Sequence, residues 1–203
     1  MVNYDPIPKS ESDLLLFGWG YDLMEEYFRM ISSADFSPNS LVLDLATGTG
    51  RAASTLTRMG YYVITGDYNF DSKIESERRI TDAYLTKVKY VRLNLEKIPF
   101  PDNAVENIVC LNTLHELDDP FLCLEEILRV HSITGKLLIA DFNSEGFDIM
   151  DKLHMIREGE LHPRGKISSQ EIKNFLIKGY YNLEEINTKL NYGFIVSRKR
   201  NEK

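Results

Sequence analysis

The sequence predicts an α/β domain built on a doubly wound, mostly parallel seven-stranded sheet with helices on both faces. Short apolar runs alternate with longer segments of helical periodicity along the chain. A glycine pair, Gly48 and Gly50, follows the first of these runs. Ligands of such sheets bind beyond the carboxyl ends of the strands. Polar residues lie at five of those predicted ends: Asp44, Asp67, Asn94, Asn112 and Asp141.

The first predicted strand and helix flank the glycine pair. Residues 40–45 (SLVLDL) are apolar up to Asp44, as expected of a strand buried on both faces. The helix that follows is predicted over residues 51–60, with Gly60 in the left-handed position that ends it. The second strand, second helix and third strand are predicted at 61–67, 72–85 and 88–95.

The second half of the chain repeats the alternation. A helix over 118–130 is predicted to begin with Asp119 as its cap and Pro120 in its first turn. Ser168 and Glu171 form a capping box that begins the last helix. The remaining predictions are strands at 107–112, 135–142, 182–190 and 191–199, and the end of the last helix at Gly179.

The length of 203 residues fits a single domain. We divide it into an N-terminal helical cap (1–40), a core (41–142), a covering insertion (143–167), and a last helix with a C-terminal strand pair (168–203). The core is where a ligand is expected, whereas the cap and the insertion are expected to select the substrate.

Charge and composition narrow the classes of partner and the expected location. The net charge of −7 argues against a bulk nucleic-acid-binding surface. No apolar run approaches the roughly 20 residues of a membrane span, and the first residues lack a signal-peptide pattern. Cys110 and Cys123 have no metal-ligand spacing and are expected to be buried free thiols in a reducing cytoplasm. The composition does not indicate an oligomeric state.

The residue before the glycine pair distinguishes between two kinds of nucleotide cofactor. Asp67 lies nineteen residues after Gly48, at the end of the second predicted strand, where an acid binds ribose hydroxyls. Nicotinamide and adenosyl cofactors both use such an acid. Asp44 would repel the pyrophosphate of a nicotinamide cofactor, at a cost of several kcal/mol in a partly desolvated cleft. It would attract the ammonium and sulfonium of S-adenosylmethionine, which is therefore the expected cofactor.

The motifs resemble those of the class I S-adenosylmethionine-dependent methyltransferases over residues 40–142. VLDLATGTG is similar to the family's glycine-rich motif, and TGDYN to its acidic motif after strand two. LNLEKIPFPDNAVENIVCLNTLHEL and EEILRVHSITGKLLIADF are similar to its later segments, although residues 132–135 lack the usual proline and first glycine. The resemblance implies a Rossmann-like sheet. ATGTG and YDLM resemble the quinone-biosynthesis C-methyltransferases, but the C-terminal half does not, so no substrate is carried over.

The resemblance also implies roles for individual cofactor-binding residues. Residues at the methionine end would come from the loop after strand one, with Gly50 allowing the backbone to approach the ligand. Asp67 would bind the ribose, and Tyr68 would pack on the adenine. Asn94 stands where an aspartate is often found. The full set is Asp44, Ala46, Thr47, Gly48, Gly50, Asp67, Tyr68, Asn94, Leu95, Leu111 and Asn112.

Histidines are the candidate catalytic residues on the acceptor side. His115 follows strand four; alternatively, it begins a helix and is bonded to a backbone carbonyl. His154 and Glu158 are four residues apart on a predicted helix over 145–161, and His162 follows. These histidines could form a base or a metal site with Asp141. The alternative, an exposed helix face with an ordinary ion pair, is favoured for His154 and Glu158, and we expect no metal.

Two further apolar segments have a structural and a functional interpretation. Residues 14–31 predict a helix packed on the sheet, or else a lid in which Trp19 or Tyr21 faces the sulfonium and Gly18 and Gly20 act as hinges. The apolar stripe of the covering insertion is expected to pack in the core rather than to bind substrate. It consists of Phe147, Met150 and Leu153.

Three functions remain open from the sequence. The first is a methyltransferase that uses S-adenosylmethionine on a small-molecule acceptor. The second is a non-enzymatic sensor or partner subunit that binds the same cofactor. The third is a NAD-dependent oxidoreductase, against which Asp44 argues.

Overall fold

The computed structural model describes residues 5–178 and 181–198 and confirms the predicted α/β class. Its seven-stranded sheet has the order β3-β2-β1-β4-β5-β7-β6, and only β7 runs antiparallel to its neighbours. The strands are β1 (Leu41–Leu45), β2 (Tyr62–Asp67), β3 (Val88–Arg92), β4 (Val105–Leu111), β5 (His131–Phe142), β6 (Tyr181–Asn187) and β7 (Asn191–Arg198). The strand order reverses direction between β1 and β4, which is where a doubly wound sheet opens a ligand crevice.

The described part of the chain also contains eight α-helices and one 3₁₀ turn, of which the first two helices precede β1. The helices are α1 (Glu11–Gly18), α2 (Leu23–Ala34), α3 (Arg51–Arg58), α4 (Lys73–Ile80), α5 (Asp82–Leu85), α6 (Pro120–Val130), α7 (Ser144–Arg157) and α8 (Ser169–Lys178). The 3₁₀ turn is Leu114–Glu116. Asp119 caps α6 through the backbone N–H of Leu122, as predicted. The capping box of Ser168 and Glu171 is also present.

The core lies on both faces of the sheet because its central strands are apolar on both sides. In β4, Ile108 and Cys110 pack in one cluster, whereas Val109 and Leu111 pack in the other. Cys110 and Cys123 are buried free thiols, as expected. This two-sided burial fixes the register of the strands and so the positions of the loops at their carboxyl ends.

The predicted helix over 145–161 ends at Arg157, so Glu158 follows α7, and the predicted strand over 182–190 ends at Asn187. Three other predicted boundaries were wrong for local reasons. The predicted helix over 72–85 breaks at Thr81, whose φ of +69° interrupts the helical hydrogen bonds. Strand β3 ends at Arg92, because Asn94 turns the chain and bridges to Lys97. Strand β5 begins at His131 rather than at residue 135 and shifts its register against β4.

The N-terminal segment forms two helices rather than one. α1 ends at Gly18, and α2 begins after its cap, Asp22. α1 and α2 pack against α7 through a small cluster that includes Leu16, Met150 and Leu153. The apolar stripe of the covering insertion is thus partly core, as expected.

The remaining predictions concern the glycines at the ends of two helices and the absence of a membrane span. Gly60 has the predicted left-handed conformation, with φ of +98°. Gly179 and the residues beyond 198 lie outside the described residues. Across residues 5–178 and 181–198, no helix combines the length and apolarity that crossing a membrane requires.

Candidate functional site

A cavity of about 730 Å³ opens at the carboxyl ends of the parallel strands. One half is lined by the loops after β1, β2 and β4, and the other by α7 and the segment that follows it. Residues 10–12, at the start of α1, contribute to the rim. The predicted cap, core and covering insertion therefore line one cavity, whose volume is in the roughly 300–1,000 Å³ range of small-molecule sites.

Two backbone hydrogen-bond donors attach the glycine loop to strand β2. The Thr47 N–H donates to the Gly66 carbonyl at 2.9 Å, and the Gly48 N–H donates to Asp67 Oδ2 at 2.9 Å. Ala46 has a φ of +63°, a left-handed conformation that explains why the family more often has glycine there. Ala46, Thr47 and Gly48 all line the cavity.

Gly50 has a different role from the one that the resemblance implies. A Cβ atom on Gly50 would lie 2.5 Å from the Ser76 hydroxyl and 2.9 Å from its Cα atom. The glycine is therefore required by the close approach of α3 and α4, and it is not among the residues that line the cavity. Gly48, in contrast, has open space where its Cβ would be.

Asp44 is a buried carboxyl group at the floor of the cavity. It is 1% exposed and accepts a hydrogen bond from the Thr65 hydroxyl at 2.8 Å. Burial raises its pKa to about 8, although the Thr65 bond opposes the rise, and the nearby charge of Asp67 adds to it. A cation bound in the cavity would favour the ionised carboxylate, so the site is suited to a positively charged ligand.

The raised pKa of Asp44 predicts a pH-dependent gain in stability for Asp44→Asn without ligand. An acid whose folded pKa is about 8, against 3.8 in the unfolded chain, stabilises the fold most at low pH and loses that contribution between about pH 4 and 8. Asparagine carries no such loss. The melting temperature of the variant is therefore expected to exceed that of the parent by an amount that grows from pH 5 to pH 8. A difference that does not change with pH would show that Asp44 is already ionised in the fold.

Asp67 lines the cavity with one carboxylate oxygen committed to the loop. Its other oxygen has no described hydrogen bond and is available to a ribose hydroxyl. Charge-assisted hydrogen bonds contribute about 1.5–3 kcal/mol each. Asp67→Ala is therefore expected to weaken cofactor binding by about 2–4 kcal/mol, measured by calorimetry with S-adenosylhomocysteine. Asp82→Ala, which removes an exposed carboxylate outside the cavity, is the control, and a loss below about threefold for Asp67→Ala would rule out the ribose role.

Leu111 and Asn112 form the floor of the cavity after β4. Asn112 has a φ of +53°, and its side-chain amide donates to the Tyr27 hydroxyl at 3.3 Å. Tyr27 is buried, which raises the pKa of its phenol, and it lines the cavity from α2. Tyr27 lies within the segment 14–31, but the sequence did not single it out, because its contact with Asn112 spans 85 residues.

Besides Gly50, three of the implied cofactor residues lie outside the residues that line the cavity. Leu95 is buried in the core, Asn94 is exposed, and Tyr68 is 64% exposed with its ring beside Arg92. Their adenine-binding roles remain predictions from the resemblance.

The aromatic residues predicted for the lid do not face the cavity. Lys152 Nζ lies 4.0 Å from the centre of the Trp19 ring, and Lys189 Nζ lies 4.0 Å from that of Tyr21. Neither ring is among the residues lining the cavity. Trp19 and Tyr21 are therefore in the wrong place to contact the sulfonium, and Tyr27 is the aromatic residue of this segment that lines the site.

A buried carboxylate anchors α1 to the glycine loop. Asp13 is 4% exposed and accepts hydrogen bonds from Arg51 at 2.9 Å and from Arg79 at 2.6 Å. Burial opposes its charge, but the two guanidinium groups hold the pKa of Asp13 well below its usual range. Arg79 also donates to the Thr49 carbonyl of the loop at 2.8 Å. The cap thus has a fixed position over the cofactor half.

The three candidate histidines meet beside the other half of the cavity, which His154 and His162 line. His115 Nδ1 lies 2.5 Å from Asp141 Oδ1, and its Nε2 lies 2.9 Å from His162 Nε2. His162 Nδ1 lies 3.1 Å from His154 Nε2, and His154 Nδ1 lies 3.2 Å from Glu158. The five side chains form one continuous chain of contacts.

The surroundings of these histidines differ from both structural alternatives, which were a His115 bonded to a backbone carbonyl and an exposed pair of His154 and Glu158. His115 is buried and bonded to a carboxylate instead of a backbone carbonyl. The pair of His154 and Glu158 exists, but His154 also contacts His162, so the helix face is not an ordinary exposed one. Burial, together with His115 and His154, lowers the pKa of His162 to about 4. His162 is therefore neutral at pH 7.

Comparison with known proteins agrees with this geometry. Residues 43–139 match the family model described as a methyltransferase domain, and this span includes the glycine loop, Asp67 and strand β4. Residues 43–139 are thus a methyltransferase domain of the class I S-adenosylmethionine-dependent type. The match ends before α7, so the family model does not cover His154 and His162.

Curated relatives of this chain are named for quinone biosynthesis. The chain is 29% identical over 150 residues to the ubiquinone/menaquinone biosynthesis C-methyltransferase UbiE of Shewanella sediminis. That alignment covers 71% of this chain and 60% of the relative. The chain is 31% identical over 132 residues to the demethylmenaquinone methyltransferase of Thermobifida fusca, covering 64% and 56%. The chain thus spans about 60% of the length of these relatives.

Solved structures confirm the Rossmann-like fold. The chain superimposes on a SAM-dependent methyltransferase from Aquifex aeolicus with a TM-score of 0.66 at 23% identity. The superposition covers 84% of this chain and 88% of that one. A TehB-like SAM-dependent methyltransferase from Corynebacterium glutamicum gives 0.61 at 16% identity, covering 91% and 92%.

Proposed function

We propose that this protein transfers a methyl group from S-adenosylmethionine to a small-molecule acceptor. The observation that carries the proposal is the buried carboxyl group of Asp44 at the floor of the glycine-loop cavity. The ammonium and sulfonium of S-adenosylmethionine would be attracted to the ionised carboxylate and would lower its raised pKa, whereas a pyrophosphate would gain nothing from the protonated group and would be repelled by the ionised one. This charge argument favours an adenosyl sulfonium over a nicotinamide cofactor.

The acceptor binds in the half of the cavity lined by α7 and the segment after it. This half is enclosed by Met150 and Leu153 on its apolar side and by His154, Glu158 and His162 on its polar side. The walls belong to the same chain, and α7 packs against the cap. Such an enclosed site favours a compact acceptor over a polymer. The quinone-biosynthesis names of the relatives are consistent with a small acceptor.

Methyl transfer in this cavity is a displacement in line with the sulfonium. The bond from sulfur to the methyl carbon breaks as the bond from that carbon to the acceptor nucleophile forms, and sulfur keeps the electron pair. Holding the two reactants in this geometry can supply about 7–11 kcal/mol of the barrier. The products are S-adenosylhomocysteine, methylated acceptor and, from a hydroxyl, amine or carbon acid, one proton.

The proton passes to the pair formed by His154 and Glu158. Both side chains line the cavity, and their contact of 3.2 Å places a carboxylate behind the imidazole. His162 and His115 stand behind this pair and fix its orientation through the contacts that end at Asp141. In this proposal the three histidines contribute to the acceptor side, which is also the prediction from the sequence.

The proposal is tested by supplying methyl-labelled S-adenosylmethionine and the purified protein to host-cell extract. Mass analysis is expected to find a labelled small molecule that forms with the parent protein and not with Gly48→Val. Binding of S-adenosylhomocysteine without any labelled product would instead favour a non-enzymatic sensor or partner subunit. Label found only on protein or RNA would contradict the acceptor class.

A further inference from the structure

The contact between His115 and His162 brings two imidazole nitrogens together at a buried point beside the cavity. Their Nε2 atoms are 2.9 Å apart. His115 Nδ1 faces the carboxylate of Asp141, which accepts hydrogen bonds and donates none when ionised. The Nδ1 atom of His115 therefore carries the proton. In the neutral ring, its Nε2 atom presents a lone pair toward His162.

The other end of the chain of contacts leads to the same result for His162. His154 Nδ1 lies 3.2 Å from the Glu158 carboxylate, an ion-pair contact that favours the proton on Nδ1 and leaves His154 Nε2 as an acceptor. His162 Nδ1 donates to it at 3.1 Å, which leaves a lone pair on His162 Nε2. In their neutral forms the three rings have three N–H protons for four contacts. The two end carboxylates direct the missing proton to the gap between His115 and His162.

A third donor, Glu116, lies beside this gap. Its Oε1 atom is 3.7 Å from His115 Nε2, and the donor atoms of His115, Glu116 and His162 all lie within 4.8 Å of one another. Two lone pairs and a carboxylate oxygen that converge on one point require a positive charge between them. Two imidazoles and one carboxylate form a donor set that suits a divalent transition metal.

We propose that His115, His162 and Glu116 bind a divalent transition-metal ion of the Zn²⁺ type at the wall of the acceptor half. Zn–N bonds of about 2.0–2.1 Å at tetrahedral angles separate two ligand nitrogens by about 3.3–3.4 Å. Opening the present gap by less than about half an ångström would accommodate the ion. This inference replaces the expectation, drawn from the sequence, that no metal is bound.

The hydrogen-bond acceptors of the second ring nitrogens of His115 and His162 support metal binding by the two residues. Metal-binding histidines usually donate their second N–H to a carboxylate or another fixed acceptor. His115 donates to Asp141, whose carboxylate is itself held by the backbone N–H groups of His115 and Phe142. His162 donates to His154. Both ligands therefore have their rings and tautomers fixed.

The position of the site gives the ion a role at the acceptor. Glu116 and His162 line the cavity, so an open coordination position would face the acceptor half. Resting on the proposed function, we infer that the acceptor binds the ion through an oxygen, nitrogen or sulfur atom. That bond would lower the pKa of the acceptor group. The Glu158 carboxylate of the pair, which lines the cavity, would still be available to receive its proton.

The site is tested by titrating the metal-free full-length protein with Zn²⁺ against a chromophoric chelator. We expect one equivalent bound with a Kd of about 1 μM or tighter, and no competition from equimolar Mg²⁺. Because removing a partner of a metal ligand already costs about 10–100-fold, His162→Gln is expected to cost at least about 100-fold. Glu116→Gln, at an exposed side chain that leaves packing intact, is expected to cost at least about 10-fold. Glu125→Gln, an exposed change on α6, is the matched control.

The outcomes separate this inference from the proposed function. X-ray absorption of the Zn²⁺ complex is expected to show nitrogen and oxygen ligands without sulfur. Failure to bind one equivalent, or equal affinity in the parent, His162→Gln and Glu116→Gln, would overturn the metal site. S-adenosylhomocysteine affinity measured on the same metal-free samples tests the cofactor half separately. Intact affinity with no metal binding would therefore leave the methyltransferase proposal standing.

Discussion

His154→Ala is expected to lower methyl-transfer turnover by about 10²–10⁴-fold while S-adenosylhomocysteine affinity stays unchanged. The reason is position: His154 lines the acceptor half and has Glu158 at 3.2 Å, whereas the cofactor half is built from the loops after β1, β2 and β4. Turnover is measured by product formation at saturating cofactor with the acceptor identified from extract. Affinity is measured by calorimetry on the same sample.

Two further variants separate catalysis from structure at this position. His154→Gln keeps a side chain that can hydrogen-bond to His162 but cannot take up a proton, so it is expected to remain as slow as His154→Ala. Met155→Ala, the next residue on α7 with a half-exposed side chain, is expected to keep near-parent turnover. Recovery of turnover in His154→Gln would show that His154 is a positioning residue.

Gly48→Val is expected to lower affinity for S-adenosylhomocysteine by at least about 100-fold, with the fold retained. Gly48 has a φ of +46° and open space where a Cβ would project, within the lining of the cavity. Valine would occupy ligand space and also resist the left-handed conformation. Calorimetry measures the loss, and circular dichroism checks the fold.

A glycine elsewhere provides the matched control for Gly48→Val. Gly20 also has a positive φ, +88°, and open space at its Cβ, but it does not line the cavity. Gly20→Val therefore carries a similar backbone strain without filling the cofactor half. Equal affinity in the parent and Gly48→Val would show that the loop does not bind the cofactor.

The sheet could be predicted from the sequence because its signals are local. Residues 41–43 and 108–111 are apolar without interruption, and the order of strands and helices leaves few arrangements of a parallel sheet. The break at Thr81 could not be predicted, since no proline or glycine marks it. The early start of β5 follows from residues 131–134, which continue a strand where the family has a turn.

The cofactor half of the site was easier to predict than the acceptor half. Asp44, Gly48 and Asp67 lie in short motifs whose spacing reflects one loop and its neighbouring strand. Contacts that span long stretches of chain leave no such spacing. The sequence identified His115 and His162 separately, but they are 47 positions apart, and their contact depends on where α7 and the segment after it pack.

The anchoring of the cap could not be read from the sequence either. Asp13 lies in a helix start that reads as an ordinary capping sequence, and its pairing with Arg51 and Arg79 spans 38 and 66 residues. Gly50 shows the opposite case. Its motif position suggested a contact with the ligand, whereas its Cβ direction shows that packing against Ser76 requires the glycine.

Equilibrium binding of S-adenosylhomocysteine and of NAD to the purified protein tests the central claim most directly. Both ligands carry an adenosine whose ribose suits Asp67, but only NAD brings a pyrophosphate to the loop beside Asp44. Calorimetry is expected to show one site for S-adenosylhomocysteine and affinity for NAD weaker by at least about 100-fold. Tight NAD binding without S-adenosylhomocysteine binding would contradict the assignment of the cavity to an adenosyl sulfonium cofactor.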